Sequence, residues 1–246
     1  MQNVAPTHRL NRRSRDFLIA AAVVFLIGAA LAVAGIGLHV FNLVVPSNRG
    51  YAIYDLTRKG LLSFGAGVSF VSMLMALRAV SWKTDNALAW ELGESLAQQL
   101  DRQFVFIRNI SERSLGYIDA VLVGKHGVLV LRITKRKGEF YNAGGDWLRR
   151  GRNGKWRPMR WNPTREAVAD AMKLKEYLQD YQLTAAPVYA AVVFTREAPD
   201  AQLRLQEPAI PVVHARGLIR DLQDSYFADA RLDAATVQQV VNLLYH

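Results

Sequence analysis

The chain has 246 residues, of which 51% are hydrophobic, and it carries a formal net charge of +10 at pH 7. This length is typical of one ordinary domain with an appendage. The chain has no cysteine, which excludes disulfide frameworks, thiol nucleophiles and zinc sites built on thiolates. Its five histidines are spread along the sequence without a helical i, i+4 spacing, so we interpret them as turn, core or surface residues rather than metal ligands.

Two long apolar segments lie in the first third of the chain. Residues 17–45 and 61–77 contain no charged side chain. An uncharged apolar stretch of about 20 residues can span a bilayer, whereas a buried helix of a small soluble domain seldom lacks a polar face over that length. We therefore predict a basic tail over residues 1–16, a two-helix transmembrane hairpin over residues 17–80 and a soluble domain over residues 85–246.

Basic residues flank both apolar segments and predict their orientation. Lysine and arginine near the ends of a span resist translocation. Four arginines precede the first segment, Arg78 and Lys83 follow the second, and the loop over residues 46–60 has three basic residues. This bias predicts an inner (plasma) membrane protein whose termini and soluble domain face the cytoplasm. A cleaved signal peptide is the main alternative, but its apolar region usually has only about 7 to 15 residues.

Small residues recur along the first apolar segment, at Gly28, Ala32 and Gly35. Small side chains at such spacing let two helices approach closely. The pattern is consistent with a homo-oligomer, but packing of the first helix against the second is the simpler interpretation.

Helical and strand patterns alternate from residue 85 onward, which predicts an α/β domain. Leucines at every fourth position from Leu88 to Leu100 predict a half-buried helix, with Asp85 as its N-cap. The Asn153-Gly154 pair predicts a β-hairpin. Further strands are predicted over residues 104–109, 117–123, 128–134, 188–195 and 210–214, and further helices over residues 164–181, 217–225 and 233–245.

Much of the positive charge is concentrated between residues 132 and 160, where ten basic residues face only two acidic ones. Three tryptophans, Trp147, Trp156 and Trp161, are interleaved with them. Such a cluster could bind nucleic acid, with cations on phosphates and rings stacked on bases, or anionic lipid head groups. It could also be a solvated hairpin whose aromatic residues pack on the core and whose cations favour the positive-inside orientation. Our candidate nucleic-acid-binding residues are Lys135, Arg136, Lys137, Arg149, Arg150, Arg152, Lys155, Arg157 and Arg160.

Several short motifs resemble, in order and spacing, the NERD (nuclease-related) domain family over about residues 88–195. They are Leu92-Gly93-Glu94, Gly116-Tyr117-Ile118-Asp119, Gly127-Val128-Leu129-Val130-Leu131, Gly138, Trp147 and Asn162-Pro163. The resemblance implies a mixed sheet flanked by helices, as in restriction endonucleases and other PD-(D/E)XK nucleases. It assigns Glu94 and Asp119 to the acidic residues that, with a Glu-x-Lys on the next strand, hold Mg²⁺ in that superfamily.

The chain departs from this pattern at the Glu-x-Lys motif. Arg132 stands at the position of the Glu, and Thr134 stands at the position of the Lys. An arginine removes a metal ligand and adds a cation where Mg²⁺ would lie. We hypothesise that Arg132 pairs with Asp119, and with Glu94, in place of the metal. The alternative is a β-bulge that turns Lys135 into the site, with Glu139 or Asp146 as carboxylate.

The sequence therefore predicts a membrane-anchored, nuclease-like domain that has lost hydrolysis, needs no cofactor and binds DNA or RNA within a membrane-associated transfer or processing complex. One alternative is a scaffold that binds other proteins of a membrane complex. Another is an active Mg²⁺-dependent nuclease with a rearranged site.

Overall fold

The computed structural model describes residues 1–41, 43–47, 49–81, 86–112 and 114–245. The chain forms two compact units, one over residues 8–84 and the other over residues 1–7 together with 85–246. The first unit is a pair of long helices. The second is a mixed α/β domain.

The two long helices are α1 (Thr7–Val40) and α2 (Tyr51–Ser81). Residues 17–40 and 51–77 are long and apolar enough to cross a membrane, with mean hydropathies of 2.8 and 1.8. Large apolar side chains point outward from both helices, including Leu26, Leu56 and Phe64. The prediction of two long apolar helices is confirmed.

Helix α2 begins at Tyr51, so the loop predicted over residues 46–60 is shorter than expected. Residues 51–60 have a mixed composition that suggested a loop. In the helix, Asp55 pairs with Arg58 and Lys59, three and four residues along the same face, at 2.6 Å each, which adds to the stability of this turn.

The two helices are packed backbone to backbone at glycines. A Cβ atom added to Gly35 would lie 2.6 Å from the backbone nitrogen of Leu62, and one added to Gly28 would lie 2.8 Å from that of Ser69. Both distances are shorter than real contacts permit, so only glycine fits there. The small residues of the first segment therefore serve packing of α1 on α2, as the simpler interpretation held.

The α/β domain contains two sheets. The larger has the order β1-β2-β3-β4-β8-β10 and the smaller has the order β7-β6-β5-β9. The strands of the larger sheet are β1 (Gln2–Val4), β2 (Val105–Glu112), β3 (Gly116–Gly124), β4 (Gly127–Thr134), β8 (Val188–Phe194) and β10 (Val212–His214). Those of the smaller sheet are β5 (Gly138–Gly144), β6 (Asp146–Arg150), β7 (Trp156–Pro158) and β9 (Ala201–Pro208).

The remaining helices are α3 (Ala87–Ala97), α4 (Pro163–Asp180), α5 (Leu218–Asp221) and α6 (Ala234–Tyr245). Asn86 is the N-cap of α3, and its side chain accepts hydrogen bonds from the backbone N–H groups of Leu88 and Ala89. The predicted cap, Asp85, lies outside the described residues. Helix α5 is shorter than the helix predicted over residues 217–225.

Opposite faces of the larger sheet are covered by different helices. Leu92 and Leu96 of α3 pack on the face that contains Leu122 and Leu131. Leu174 and Leu178 of α4, with Val240 and Leu244 of α6, pack on the other face. Since side chains alternate between faces along a strand, each residue of β3 and β4 is assigned to either the α3 side or the α4 side.

The β6–β7 hairpin of the smaller sheet carries half of the ten basic residues between 132 and 160. Strands β6 and β7 form the hairpin predicted from Asn153-Gly154, with Gly154 in the left-handed region at φ 76°. Strand β9 was not predicted. It follows β8 by a short connection and pairs in parallel with β5, so its partner lies more than 50 residues away in sequence.

The first residues of the chain form strand β1, which the predicted basic tail did not include. Gln2 to Val4 pair in parallel with Val105 to Ile107 of β2. The backbone N–H of Gln2 donates to the carbonyl of Phe104 at 3.0 Å. The segment before α1 is thus an edge strand of the α/β domain.

The glycine packing of the two long helices can be tested by a matched pair of substitutions. We expect Gly35→Ala to destabilise the helix pair by about 1–3 kcal/mol, because the added methyl group overlaps the backbone of α2. Gly37→Ala is the control, since nothing lies within 4 Å of its added Cβ. Thermal unfolding of the detergent-solubilised protein, followed by helical circular dichroism, measures both. Equal midpoints for the two variants would contradict the packing.

Candidate functional site

The centre of the site is an ion pair between adjacent strands. Ala120 of β3 pairs with Leu131 of β4, so Asp119 and Arg132 are neighbours across the two strands on the α4 side of the sheet. Arg132 Nη1 lies 3.6 Å from Asp119 Oδ2. The structure therefore brings together Asp119 and Arg132, the two residues that were expected from the sequence to pair.

Two more carboxylates reach the same guanidinium from helix α4. Arg132 Nη2 lies 2.5 Å from Glu166 Oε2, and Nη1 lies 3.6 Å from Asp170 Oδ2. Glu166 and Asp170 are four residues apart and therefore share one face of the helix. The guanidinium is thus shared by three carboxylates, one from the sheet and two from α4. We call these four residues the Arg132 cluster.

Asp119 is held by further hydrogen bonds. The backbone N–H of Ile133 donates to its Oδ2 at 3.0 Å. Asn86 Nδ2 lies 3.4 Å from its Oδ1 and 3.3 Å from the hydroxyl oxygen of Tyr117. The N-cap of α3 therefore also helps to position the carboxylate, which is 9% exposed.

Burial dominates the titration of the two most enclosed acids. It raises the pKa of Asp119, although the positive charge of Arg132 acts in the opposite direction. It raises the pKa of Asp170 to about 6, again opposed by Arg132 and by Lys173. Burial lowers the pKa of Arg132, but the charges of Asp119 and Glu166 more than offset this and the net shift is upward. Arg132 is therefore a permanent cation.

Glu94, the helix acid that the sequence resemblance assigned to the site, makes a different contact. It lies on α3, which packs on the other side of the sheet, and its Oε1 accepts a hydrogen bond from Asn3 Nδ2 at 2.9 Å. Asn3 also accepts a hydrogen bond from Arg108. Arg132 thus meets Glu166 and Asp170 where the sequence suggested Glu94. The sequence signal for this contact was the spacing of Glu166 and Asp170, which are four residues apart in the helix that follows Asn162-Pro163.

The end of β4 is regular. The pairing of β4 with β8 runs in unbroken register from Val128 to Thr134, so no bulge turns Lys135 into the site. Thr134 is buried, and its hydroxyl oxygen accepts a hydrogen bond from the backbone N–H of Arg136 at 3.3 Å. Glu139 pairs with Arg150 at 2.8 Å. The alternative site, in which a bulge brings Lys135 together with the carboxylate of Glu139, is therefore not the one found.

Six arginines line a groove of about 600 Å³ beside the β6–β7 hairpin. We call this the arginine groove. Its lining consists of Arg136, Arg149, Arg150, Gly151, Arg152, Arg157, Pro158, Met159, Arg160 and Trp161. It thus includes six of the nine basic residues proposed from the sequence, whereas Lys135, Lys137 and Lys155 are exposed outside it.

Most of this positive charge is not neutralised. Arg150 pairs with Glu139, and outside the groove Lys137 pairs with Asp200 at 2.9 Å. Within the described ranges, no ion pair joins Arg152, Arg157 or Arg160 to a carboxylate. These exposed guanidinium groups can therefore bind an anionic ligand.

The three tryptophans of this region are all engaged with the protein. Trp147 is 3% exposed and donates its Nε1–H to the hydroxyl oxygen of Thr164 at 2.8 Å. Trp156 packs against Tyr141 and lies under Arg204. Trp161 donates its Nε1–H to Glu166 at 3.2 Å and lies under Arg136. The expectation of Trp147 as a base-stacking ring is therefore wrong, because it belongs to the core.

Trp161 also connects the arginine groove with the Arg132 cluster. Its indole lines the groove, while its N–H bonds to the same Glu166 oxygen that pairs with Arg132. The two features are thus parts of one continuous region on the α4 side of the domain.

Comparison with protein families identifies a nuclease-related (NERD) domain at residues 86–195. The matched range begins at the N-cap of α3 and ends just after β8, so it contains both the Arg132 cluster and the arginine groove. No curated protein and no solved structure matches the chain.

The residues of the Arg132 cluster do not fit a divalent metal. A Mg²⁺ ion needs oxygen ligands close around it, whereas here a guanidinium lies between the three carboxylates and donates to one of them. Within the described part of the chain, no group of three or more histidine or acidic side chains is placed to hold a metal ion. We therefore derive no metal-dependent step for this site.

Metal titration tests this conclusion directly. We expect the solubilised protein to show the same Mn²⁺ binding, followed by electron paramagnetic resonance at millimolar metal, as its Asp119→Asn variant, because Arg132 occupies the position between the carboxylates. A Mn²⁺ signal that disappears in Asp119→Asn would show a metal site at Asp119 and contradict the fit.

Proposed function

Because residues 86–195 form a nuclease-related domain, we propose that this chain binds nucleic acid without hydrolysing it, while its two apolar helices anchor it in a membrane. The arginine groove carries the binding proposal. Six guanidinium groups converge there, and all of them except that of Arg150 are without a carboxylate partner among the described residues.

The chemistry of the groove suits the phosphates of a nucleic-acid strand. Arginine donates several N–H groups in a planar fork that matches phosphate oxygens. Each phosphate that a protein cation neutralises releases counterions from the strand, which favours binding at low salt. A groove with several such cations therefore favours a polyanion over a single phosphate group.

The Arg132 cluster supports the loss of hydrolysis. In the superfamily that the sequence resembles, carboxylates hold the metal ion that polarises the phosphate and activates water. Here Asp119 already pairs with Arg132 and accepts a hydrogen bond from the backbone N–H of Ile133. A carboxylate neutralised by a permanent cation is a poor metal ligand, so the domain lacks the means to cleave the strand that it holds.

The pairing of β1 supports a membrane hairpin with both ends on one side. Residues 2–4 precede α1 and residues 105–107 follow α2, yet they are paired in one sheet. They must therefore lie in the same compartment, which an even number of spans provides. Removal of the first apolar segment as a signal peptide would also remove this edge strand. The arginines that precede the first apolar segment favour the cytoplasm for that compartment.

Neutralising the unpaired arginines tests the binding role. We expect the triple variant Arg152→Gln, Arg157→Gln, Arg160→Gln to bind a labelled duplex at least about tenfold more weakly at 100 mM salt and to lower the slope of log affinity against log salt by about 2 to 3. The control variant Arg102→Gln, Lys175→Gln, Arg220→Gln removes the same charge outside the groove. Fluorescence anisotropy with the solubilised full-length protein measures both.

Equal loss in the two triple variants would assign binding to net charge rather than to the groove. No binding by the unsubstituted protein at low salt would overturn the nucleic-acid role and favour a protein scaffold.

The membrane topology can be tested with single cysteines, because the chain has none of its own. We expect a membrane-impermeant maleimide to label Ser47→Cys, in the loop between α1 and α2, on intact spheroplasts. Gln223→Cys, on the exposed surface of the α/β domain, should be labelled only after the membrane is opened. Labelling of Gln223→Cys on intact spheroplasts would reverse the proposed orientation, and recovery of the protein in the soluble fraction would exclude the anchor.

A further inference from the structure

Resting on the proposed function, we infer that the arginine groove binds the phosphodiester backbone without stacking on the bases. The ligand is any nucleic-acid strand, recognised by its regularly spaced phosphates. This goes beyond nucleic-acid binding as such, because most sites for single strands combine cations with aromatic rings on which bases stack.

The rings near the groove lie under arginines, although Trp156 and Trp161 are only half-buried. The guanidinium carbon of Arg136 lies 4.5 Å from the ring centroid of Trp161. That of Arg149 lies 6.0 Å from the ring of Phe140, which is fully buried. At such distances a cation is attracted to the face of the ring. Each ring is therefore a support that holds a guanidinium in place.

Trp156 supports an arginine in the same way, and Trp147 is buried. Arg204 lies over Trp156 at 5.8 Å, and Tyr141 packs beside that ring at 5.9 Å. Trp147 contributes to the core beside Phe194. Among the described residues of the α/β domain, the exposed aromatic side chains are Trp90, Tyr117, Tyr181 and Tyr245, and none of them lines the groove.

The groove also lacks side chains suited to most base edges. Adenine is usually read by Asn or Gln and cytosine by an acidic residue. The lining residues other than arginine are Gly151, Pro158, Met159 and Trp161, and the N–H of Trp161 is already donated to Glu166. The groove thus offers positive charge and N–H donors for phosphate oxygens.

Two of the arginines are held in place by the protein. Arg149 donates to the carbonyl oxygen of Lys137 at 2.9 Å while it lies over Phe140. Arg150 donates to the carbonyl oxygen of Gly154 at 3.1 Å while it pairs with Glu139. Fixed guanidinium groups lose little conformational entropy when they bind phosphates. Two guanidinium groups of the groove are therefore held in place before a ligand binds.

An oligonucleotide without bases tests whether binding depends on the phosphodiester backbone alone. We compare a 20-residue thymidine oligomer with an abasic oligomer of the same length and charge, using anisotropy with the full-length protein in detergent. The inference predicts dissociation constants within about threefold of each other. A site that stacks bases would lose at least about fivefold for each base removed.

Trp161→Leu, with its correct folding checked by circular dichroism, sharpens the comparison. If the ring only supports Arg136, this variant weakens the thymidine and abasic oligomers by the same factor. If Trp161 stacks on a base, only the thymidine oligomer is weakened, and the inference is overturned.

Different outcomes contradict backbone-only recognition and nucleic-acid binding itself. Tight binding of the thymidine oligomer together with at least tenfold weaker binding of the abasic one overturns backbone-only recognition and leaves nucleic-acid binding intact. Binding of neither oligomer at low salt overturns the proposed function itself.

Discussion

Arg132 is the cation around which the α4 side of the domain is organised. It is anchored in β4, lies opposite Asp119 of β3, and reaches Glu166 and Asp170 of α4. One guanidinium therefore connects two strands with the helix that covers them. Removing one partner of a largely buried ion pair leaves the other charges uncompensated, which costs far more than the pair contributes to stability. The three carboxylates are thus tolerated there because Arg132 is present.

This interaction also bears on the arginine groove beside it. Three ionised carboxylates next to the groove would repel a polyanion. Arg132 compensates part of that charge, and the raised pKa of Asp170, about 6, keeps a fraction of it protonated near neutral pH. In a metal-dependent nuclease the bound cation both offsets the acidic residues and performs the chemistry. An arginine can do only the first, which is consistent with a domain that holds nucleic acid and leaves it intact.

The proposed membrane anchor would lower the affinity that nucleic-acid binding requires. A domain tethered to a membrane meets other molecules at that membrane at a high effective concentration, so modest affinity is sufficient. Backbone-only recognition is usually salt-dependent and unselective. Under the proposed function, tethering limits where the domain acts and thereby supplies a selectivity that the groove lacks.

Much of the architecture followed from local sequence. Hydropathy alone identified the two apolar helices, because crossing a bilayer depends on the length and composition of one continuous segment. The alternation of apolar residues and the turns identified the β3–β4 and β6–β7 hairpins, since their partners are close in sequence. The same local order showed that Arg132 and Thr134 replace the Glu and Lys of the nuclease motif, and that the positive charge is concentrated between residues 132 and 160.

Only the tertiary structure decided which groups meet. Strand β1 pairs with residues about 100 positions away, and such a short strand has no signal until its partner is known. Asp170 joins Arg132 because α4 packs over β3 and β4, while Glu94 is excluded because α3 packs on the opposite face. The tryptophans among the basic residues likewise became supports for arginines or part of the core. Composition determines which charges and rings a chain carries, but long-range packing determines which of them remain exposed for a ligand.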